Sequence, residues 1–131
     1  MLPEWPDGTV AVLSTGAGDP HAIPVSTIVR AGDETILFVL AKRRESLSRL
    51  RQDARCALTI LAPGVAVTAH GRAHEVEDME RVVALRMDVE RVQDHDQPTF
   101  EIQEGVRWRW IDADAERADA DLRAALTRLR S

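Results

Sequence analysis

The chain has 131 residues, 44% hydrophobic and 30% charged, with a formal net charge of −5 at pH 7. That length suits a single domain, residues 1–131, whose core buries about two-thirds of the unfolded surface. The acidic balance excludes a non-specific nucleic-acid binder, which needs a basic surface.

A lone cysteine, Cys56, rules out a disulfide within one chain and, lying in an apolar run, reads as a core thiol. The first eight residues carry no apolar signal-type segment and no run approaches transmembrane length, so a cytoplasmic protein with no membrane partner is expected.

In chain order, Trp5 sits between two prolines, Asp7-Gly8 signals a turn, and residues 9–14 read as a first strand. Gly16-Ala-Gly-Asp-Pro20 is a turn without the spacing of a dinucleotide fingerprint. Residues 22–30 read as one strand, with Pro24 marking an edge or a bulge because it cannot donate a ladder hydrogen bond. After the loop 31–34 comes an apolar run, Ile36 to Ala41. It turns at Lys42-Arg43-Arg44 into a short helix on which Leu47, Leu50 and Ala54 recur at helical spacing. Residues 56–62 and 65–76 are strands around a Pro63-Gly64 hairpin. A helical turn at 78–82 precedes a strand from Val83. Residues 99–103 and 106–110 read as a last hairpin. The clearest helix is 112–130, capped by Asp112 or Asp114, with Ala118, Leu122, Ala125, Leu126 and Leu129 as its apolar stripe. Hairpin-linked strands in this number point to a mainly β fold with short helices, a Greek-key or partly closed barrel.

The basic junction is the unusual feature. Of 17 basic residues 16 are Arg, and the single lysine is Lys42. Three cations at a helix start oppose the helix dipole unless something negative offsets them. They read either as solvated side chains or, with the free N–H groups of the helix start, as a phosphate cradle.

Other constellations carry less. His70 and His74 share a strand face, but rungs that far apart would need a third ligand, so a solvated or interface face is favoured and no metal is expected. His21 reads as a loop residue. Trp108 and Trp110 alternate with Arg107 and Arg109 and face one side. Both rings either pack a dimer seam, the favoured reading, or wall a planar ligand. No Ser-His-Asp or Cys-His arrangement follows from spacing. Asp112, Asp114, Asp119 and Asp121 read as the solvated face of the last helix.

Residues 18–25 (Gly-Asp-Pro-His-Ala-Ile-Pro-Val), 35–40 (Thr-Ile-Leu-Phe-Val-Leu), 47–58 and Gly71-Arg-Ala73 together resemble the pyridoxamine-phosphate-oxidase-like, flavin-binding split-barrel family. The likeness spans about residues 9 to 77. It implies a six-stranded split (Greek-key) β-barrel with a C-terminal helix, a homodimer, and FMN or a deazaflavin in the cleft between subunits. Carried over by position, Val25, Ser26 and Thr27 would border the ring, and Leu40, Ala41 and Lys42 would run beside it. Arg44 and Ser46 would reach the phosphate, and Lys42 and Arg43 could compensate at a different angle; Trp108 and Trp110, read from the residues alone, are candidates for the cleft wall or its seam. The chain departs from the family where Arg44 stands at the usual Ser/Thr position and Ser46 at the usual Lys position. The implied activity is hydride or electron transfer to a small molecule. The competing class is a non-catalytic carrier or sensor, or a barrel that has lost its cofactor.

Overall fold

The structure, a computed structural model, describes residues 1–130. In chain order its elements are β1 (Ala11–Thr15), β2 (His21–Val25), β3 (Ile28–Arg30), β4 (Thr35–Ala41), α1 (Glu45–Gln52), β5 (Arg55–Ala62), β6 (Val65–Met79), β7 (Val82–Asp94) and α2 (Ala113–Leu129). All strand pairs are antiparallel, in one sheet of order β2-β1-β5-β6-β7-β4-β3.

The sheet has seven strands where six were expected, because residues 22–30 are two strands and not one. Val25 pairs with Ala11 of β1, whereas Ile28 pairs with Phe38 of β4. Burial shows the break directly: Val25, Thr27 and Ile28 are all buried. In an unbroken strand positions 25 and 28 would face opposite sides. Consecutive strands separated by Ser26 and Thr27 therefore stand at opposite edges of the sheet. Three Cα steps reach only about 11 Å, so the sheet curls until its two edges face each other, forming a half-barrel.

The core fills the concave side, with Leu13, Ile36, Phe38, Leu58, Ile60, Leu85 and Met87 at its centre and Leu47 and Leu50 of α1 packed into it. β4 is buried on both faces, which is why its sequence does not alternate. Ile36, Phe38 and Leu40 point into this core, while Leu37 and Val39 lie under Leu122 and Leu126 of α2. Trp5 fastens the N-terminal loop by donating from Nε1 to the Ile28 carbonyl at 3.3 Å.

Three local expectations are corrected. Residues 78–82 are not a helical turn: β6 runs to Met79 and a two-residue turn leads into β7 at Val82. Glu80 takes a φ of 73° there, without the Gly or Asn that usually signals such a turn, and its N–H is held by Asp78 Oδ1 at 3.0 Å. Residues 99–110 form no hairpin. They run irregularly past the β5–β6 turn, where Gly64 N–H donates to the Ile102 carbonyl at 2.9 Å and no sheet edge is offered. α2 is helical as expected, and Asp112 caps it by accepting from the Asp114 and Ala115 N–H groups. Its buried face, however, is rotated to include Asp119 and Leu126, leaving Ala118 exposed. Among the described residues no helix is long and apolar enough to cross a membrane.

Gly71 sits at a bulge where β7 crosses close to β6. A Cβ there would lie 2.0 Å from the Asp88 carbonyl oxygen. Gly71→Ala should therefore cost about 1–3 kcal/mol as an overpacking substitution, read as a lowered midpoint in urea unfolding followed by circular dichroism.

Candidate functional site

Where the two edges of the curled sheet meet, they leave a cleft of about 160 Å³ lined by Ile23, Pro24, Val25, Ser26, Thr27, Val39, Leu40, Ala41 and Arg44. Two sequence-distant segments form it, the β2–β3 turn and the end of β4. Six of the residues singled out from the sequence, Val25, Ser26, Thr27, Leu40, Ala41 and Arg44, meet here. Ile23, Pro24 and Val39 were not singled out. Their place follows from the strand break, which periodicity alone did not disclose.

The cations of the basic junction separate into two groups. Lys42 is engaged within the chain, its Nζ 2.7 and 2.8 Å from the two Asp78 carboxylate oxygens. That bond and the Glu80 N–H hold Asp78 below its ordinary pKa. Arg51 of α1 makes a two-pronged pair with Glu75 at 2.9 and 2.8 Å, which lowers Glu75 in the same way. The acidic end of the β6–β7 hairpin thus supplies much of the negative charge that this region needs. Among the described residues, Arg43 and Arg44 have no carboxylate partner, and Arg44 is the one that lines the cleft. Arg44 is also the N-cap of α1 and gives no side-chain cap. Of the first-turn amide groups, Leu47 N–H donates to the Arg44 carbonyl at 3.2 Å, and the Arg44 side chain caps none of them.

Ser46 is placed differently from the position expected of a phosphate ligand. It is wholly buried, and its Oγ lies 3.0 Å from His21 Nε2. His21, read from sequence as a loop residue, begins β2, and its Nδ1 lies 3.5 Å from Glu45 Oε2. The Ser46–His21–Glu45 order mimics a nucleophile relay, which spacing did not suggest. With no exposed surface, Ser46 offers its oxygen to no substrate, and the arrangement is a fastener between β2 and α1. Arg49 extends it by binding Glu45 at 2.6 Å and the carbonyls of Ala17 and Asp19 in the β1–β2 loop. Replacing Ser46 with Ala should cost roughly 1–2 kcal/mol, because a buried hydrogen bond is lost and the imidazole nitrogen keeps no buried partner.

Trp108 and Trp110 do keep company, edge to face with centroids 5.0 Å apart, on an irregular segment, and neither is among the residues that line the cleft within one chain. Trp108 donates to the Gly8 carbonyl at 3.2 Å. His70 lies 3.3 Å from Gln93 Oε1 and His74 3.8 Å from Asp88 Oδ2. Among the described residues no group of His, Cys, Asp and Glu gathers as a metal site. Cys56 is buried, and burial pushes its thiol up to about 12, which leaves it unreactive at neutral pH. Asp119 is buried and is the exception to the expected solvated face of α2.

Several carboxylates are lowered by basic partners: Glu45 by Arg49, Glu75 by Arg51, Asp78 by Lys42, and the half-buried Asp53, to about 2, by Arg55. Each has a folded pKa below its unfolded value of 3.8 or 4.5. Their stabilisation is complete above that range and is lost as pH falls toward about 2. The melting temperature should fall steadily from pH 5 to pH 2.5, and the fall should be shallower in the double variant Asp53→Asn, Glu75→Gln.

Comparison with known proteins bears on this geometry. No curated protein matches the sequence. The fold is shared with a FAD-binding protein from Mesorhizobium loti (16% identity, 64% of this chain and 81% of that one, TM-score 0.55). It is shared with a heme binding protein from Mycobacterium smegmatis (21% identity, 66% and 48%, TM-score 0.57). It is shared also with nitrilotriacetate monooxygenase component B from Mycobacterium thermoresistibile (13% identity, 81% and 87%, TM-score 0.58). The family model described as pyridoxamine 5'-phosphate oxidase matches residues 3–122, nearly the whole chain. The half-barrel with its open seam is thus the fold of a known group, and the chain belongs to the pyridoxamine 5'-phosphate oxidase family.

Proposed function

We propose that the chain binds a flavin-type cofactor, FMN in the first instance, in the seam between the β2–β3 turn and the end of β4, and that it serves as an oxidoreductase. The observation that carries this reading is Arg44, a cation with no carboxylate partner among the described residues, standing on a cleft walled by Val25, Thr27, Val39 and Leu40. The exposed lining of the cleft is more polar than apolar, which suits the polar edge of a ring, and a guanidinium at a helix start suits a phosphate. Val25, Ser26 and Thr27 would border the ring from one edge of the sheet. Leu40 and Ala41 would do so from the other, and Arg44 would hold the phosphate, with Arg43 near it. Lys42 is drawn toward Asp78 and Ser46 toward His21, so both contribute through the backbone or by placing α1. When bound, the cofactor supplies hydride or electron transfer, and the protein supplies placement and electrostatics.

The family model and the FAD-binding relative support the flavin reading. A haem, suggested by the M. smegmatis relative, is less well served, because no residue lining the cleft carries an imidazole, thiol or thioether for iron.

The cleft of one chain is about 160 Å³, smaller than the roughly 300–1,000 Å³ of small-molecule sites. A second copy of the chain would complete it. Exposed apolar residues support such a partner: Val12 and Leu61 on the outer sheet face, and Val106, Trp108 and Ile111 on the segment before α2. Closed two-fold dimers are the commonest oligomers.

Light scattering at micromolar concentration should give twice the 14.6 kDa of one chain; a monomer mass there would remove the second copy from the site. For the cofactor, the decisive titration compares wild type and Arg44→Ala with FMN, riboflavin and a deazaflavin. Charge-assisted contacts to phosphate are worth roughly 1.5–3 kcal/mol, so the substitution should weaken FMN about tenfold or more. Added salt should weaken FMN further, and riboflavin, lacking the phosphate, should be nearly indifferent to the change. A bound flavin that dithionite bleaches but a nicotinamide donor does not points to a carrier or sensor. Equal and negligible binding of all three ligands points to a barrel without a flavin.

A further inference from the structure

The cleft has two lips. From the β2–β3 turn one runs back along β2 to His21, and the other runs forward from β4 through Arg44 into α1. Ile23 and Val25 line the cleft, and His21 lies on the same face of β2, one alternation further along. Arg44 lines the cleft from the opposite lip, and Ser46 follows it in the first turn of α1. At this end the lips meet again, because the wholly buried Ser46 places its Oγ 3.0 Å from His21 Nε2. The seam is thus closed at one end by the covalent turn Ser26-Thr27 and at the other by a hydrogen bond.

That bond has a direction. His21 Nδ1 stands 3.5 Å from Glu45 Oε2, and Arg49 Nε, 2.6 Å from the same oxygen, keeps Glu45 ionised. An ionised carboxylate only accepts, so the neutral imidazole carries its proton on Nδ1 and leaves Nε2 bare. The Ser46 hydroxyl is therefore the donor and His21 Nε2 the acceptor. Arg49 also donates to the carbonyls of Ala17 and Asp19, which fastens the loop leading into β2 to the same helix. In the sheet β2 pairs with β1 alone, so these side chains are what tie its free edge to α1. Arg44 has no carboxylate partner among the described residues, and the backbone that carries it decides where its guanidinium stands.

We propose that His21 is a positioning residue for Arg44: by accepting from Ser46 it holds the start of α1 against β2 and keeps the guanidinium on the cleft. This rests on the flavin reading given above, with Arg44 as the phosphate ligand. Preference for a phosphorylated over an unphosphorylated flavin then depends on a residue that touches neither. His21→Gln keeps an acceptor at about the reach of Nε2. His21→Asn is too short to meet Ser46 and puts its amide near the place of Nδ1.

The test measures dissociation constants for FMN and riboflavin with wild type, His21→Gln, His21→Asn, Arg44→Ala and the double variant His21→Asn, Arg44→Ala. Wild type should prefer FMN, and His21→Asn should lose about tenfold of that preference, the worth of one charge-assisted contact. His21→Gln should keep most of it, and in the Arg44→Ala background His21→Asn should change nothing further. A merely structural role would weaken both flavins alike, and melting temperatures report whether each variant is folded. A ligand-free readout runs beside the titrations: imidazole ¹⁵N spectra at mildly alkaline pH should place the His21 proton on Nδ1. An FMN preference that His21→Asn leaves intact while Arg44→Ala abolishes it would overturn the inference and leave the flavin reading standing. A loss that persists in the Arg44→Ala background would overturn it too, since its route would not pass through Arg44. A proton found on Nε2 would overturn the acceptor role whatever the ligand does. Failure of wild type to bind either flavin would overturn the flavin reading, and the positioning role with it.

Discussion

The two residues Ser26 and Thr27 impose the constraint on which the rest of the molecule depends. Because they are all that separates β2 from β3, and because those strands pair with β1 and β4, the sheet has no flat solution. Curling gives the core its enclosure, and it brings the β2–β3 turn against the end of β4. The cleft is therefore a by-product of closure: the same two residues that bend the sheet are among those that line its seam. α2 then covers the convex face of β3 and β4, with Leu122 and Leu126 packed on Leu37 and Val39.

Charge is organised around the same end. The run Lys42-Arg43-Arg44 looked unbalanced in sequence because its one counter-charge, Asp78 on Lys42, lies 36 residues downstream at the far end of β6. Hairpin pairing brings Glu75 and Asp78 back to α1 and the end of β4, and only part of the positive charge is neutralised there. Of the remainder, Arg44 lines the cleft. A surface ion pair such as Lys42–Asp78 adds little to stability. Its effect is to orient Lys42 away from the cleft and to leave Arg44 as the cation that lines it.

What could be read from the sequence was what is local. The double-sided burial of β4 showed in an unbroken apolar run, and α2 showed in its cap and stripe. The break at Ser26-Thr27 left only Pro24 as a hint, since a change of facing between positions 25 and 28 depends on which strands each half meets. Glu80 hid its turn because Asp78, not a glycine, accommodates the left-handed backbone. Residues 99–110 alternate like a hairpin yet find no edge to join, and alternation without a partner is not a strand. At the cleft, Val25 to Thr27, Leu40, Ala41 and Arg44 were reachable through family likeness. The inward turn of Ser46 toward His21 depends on a contact across 25 residues, and the burial of Asp119 on how α2 lies on β3 and β4, for neither of which the sequence carries a local mark.

The seam also sets the order in which the molecule can come apart. β3 is held by three residue pairs to β4 alone, and β2 by five to β1 alone, whereas β6 and β7 are paired along most of their length. Strands fastened on one side, by few hydrogen bonds, are the ones that open at least cost in free energy. Their closure also requires contacts between distant parts of the chain, which form late in folding. The β2–β3 wall of the cleft is accordingly expected to assemble late and exchange early, while the β4 wall, paired with both β3 and β7, stays in place. Any molecule that spans the seam acts as a clasp on the whole sheet, and adds to its stability by mass action in proportion to how tightly it binds.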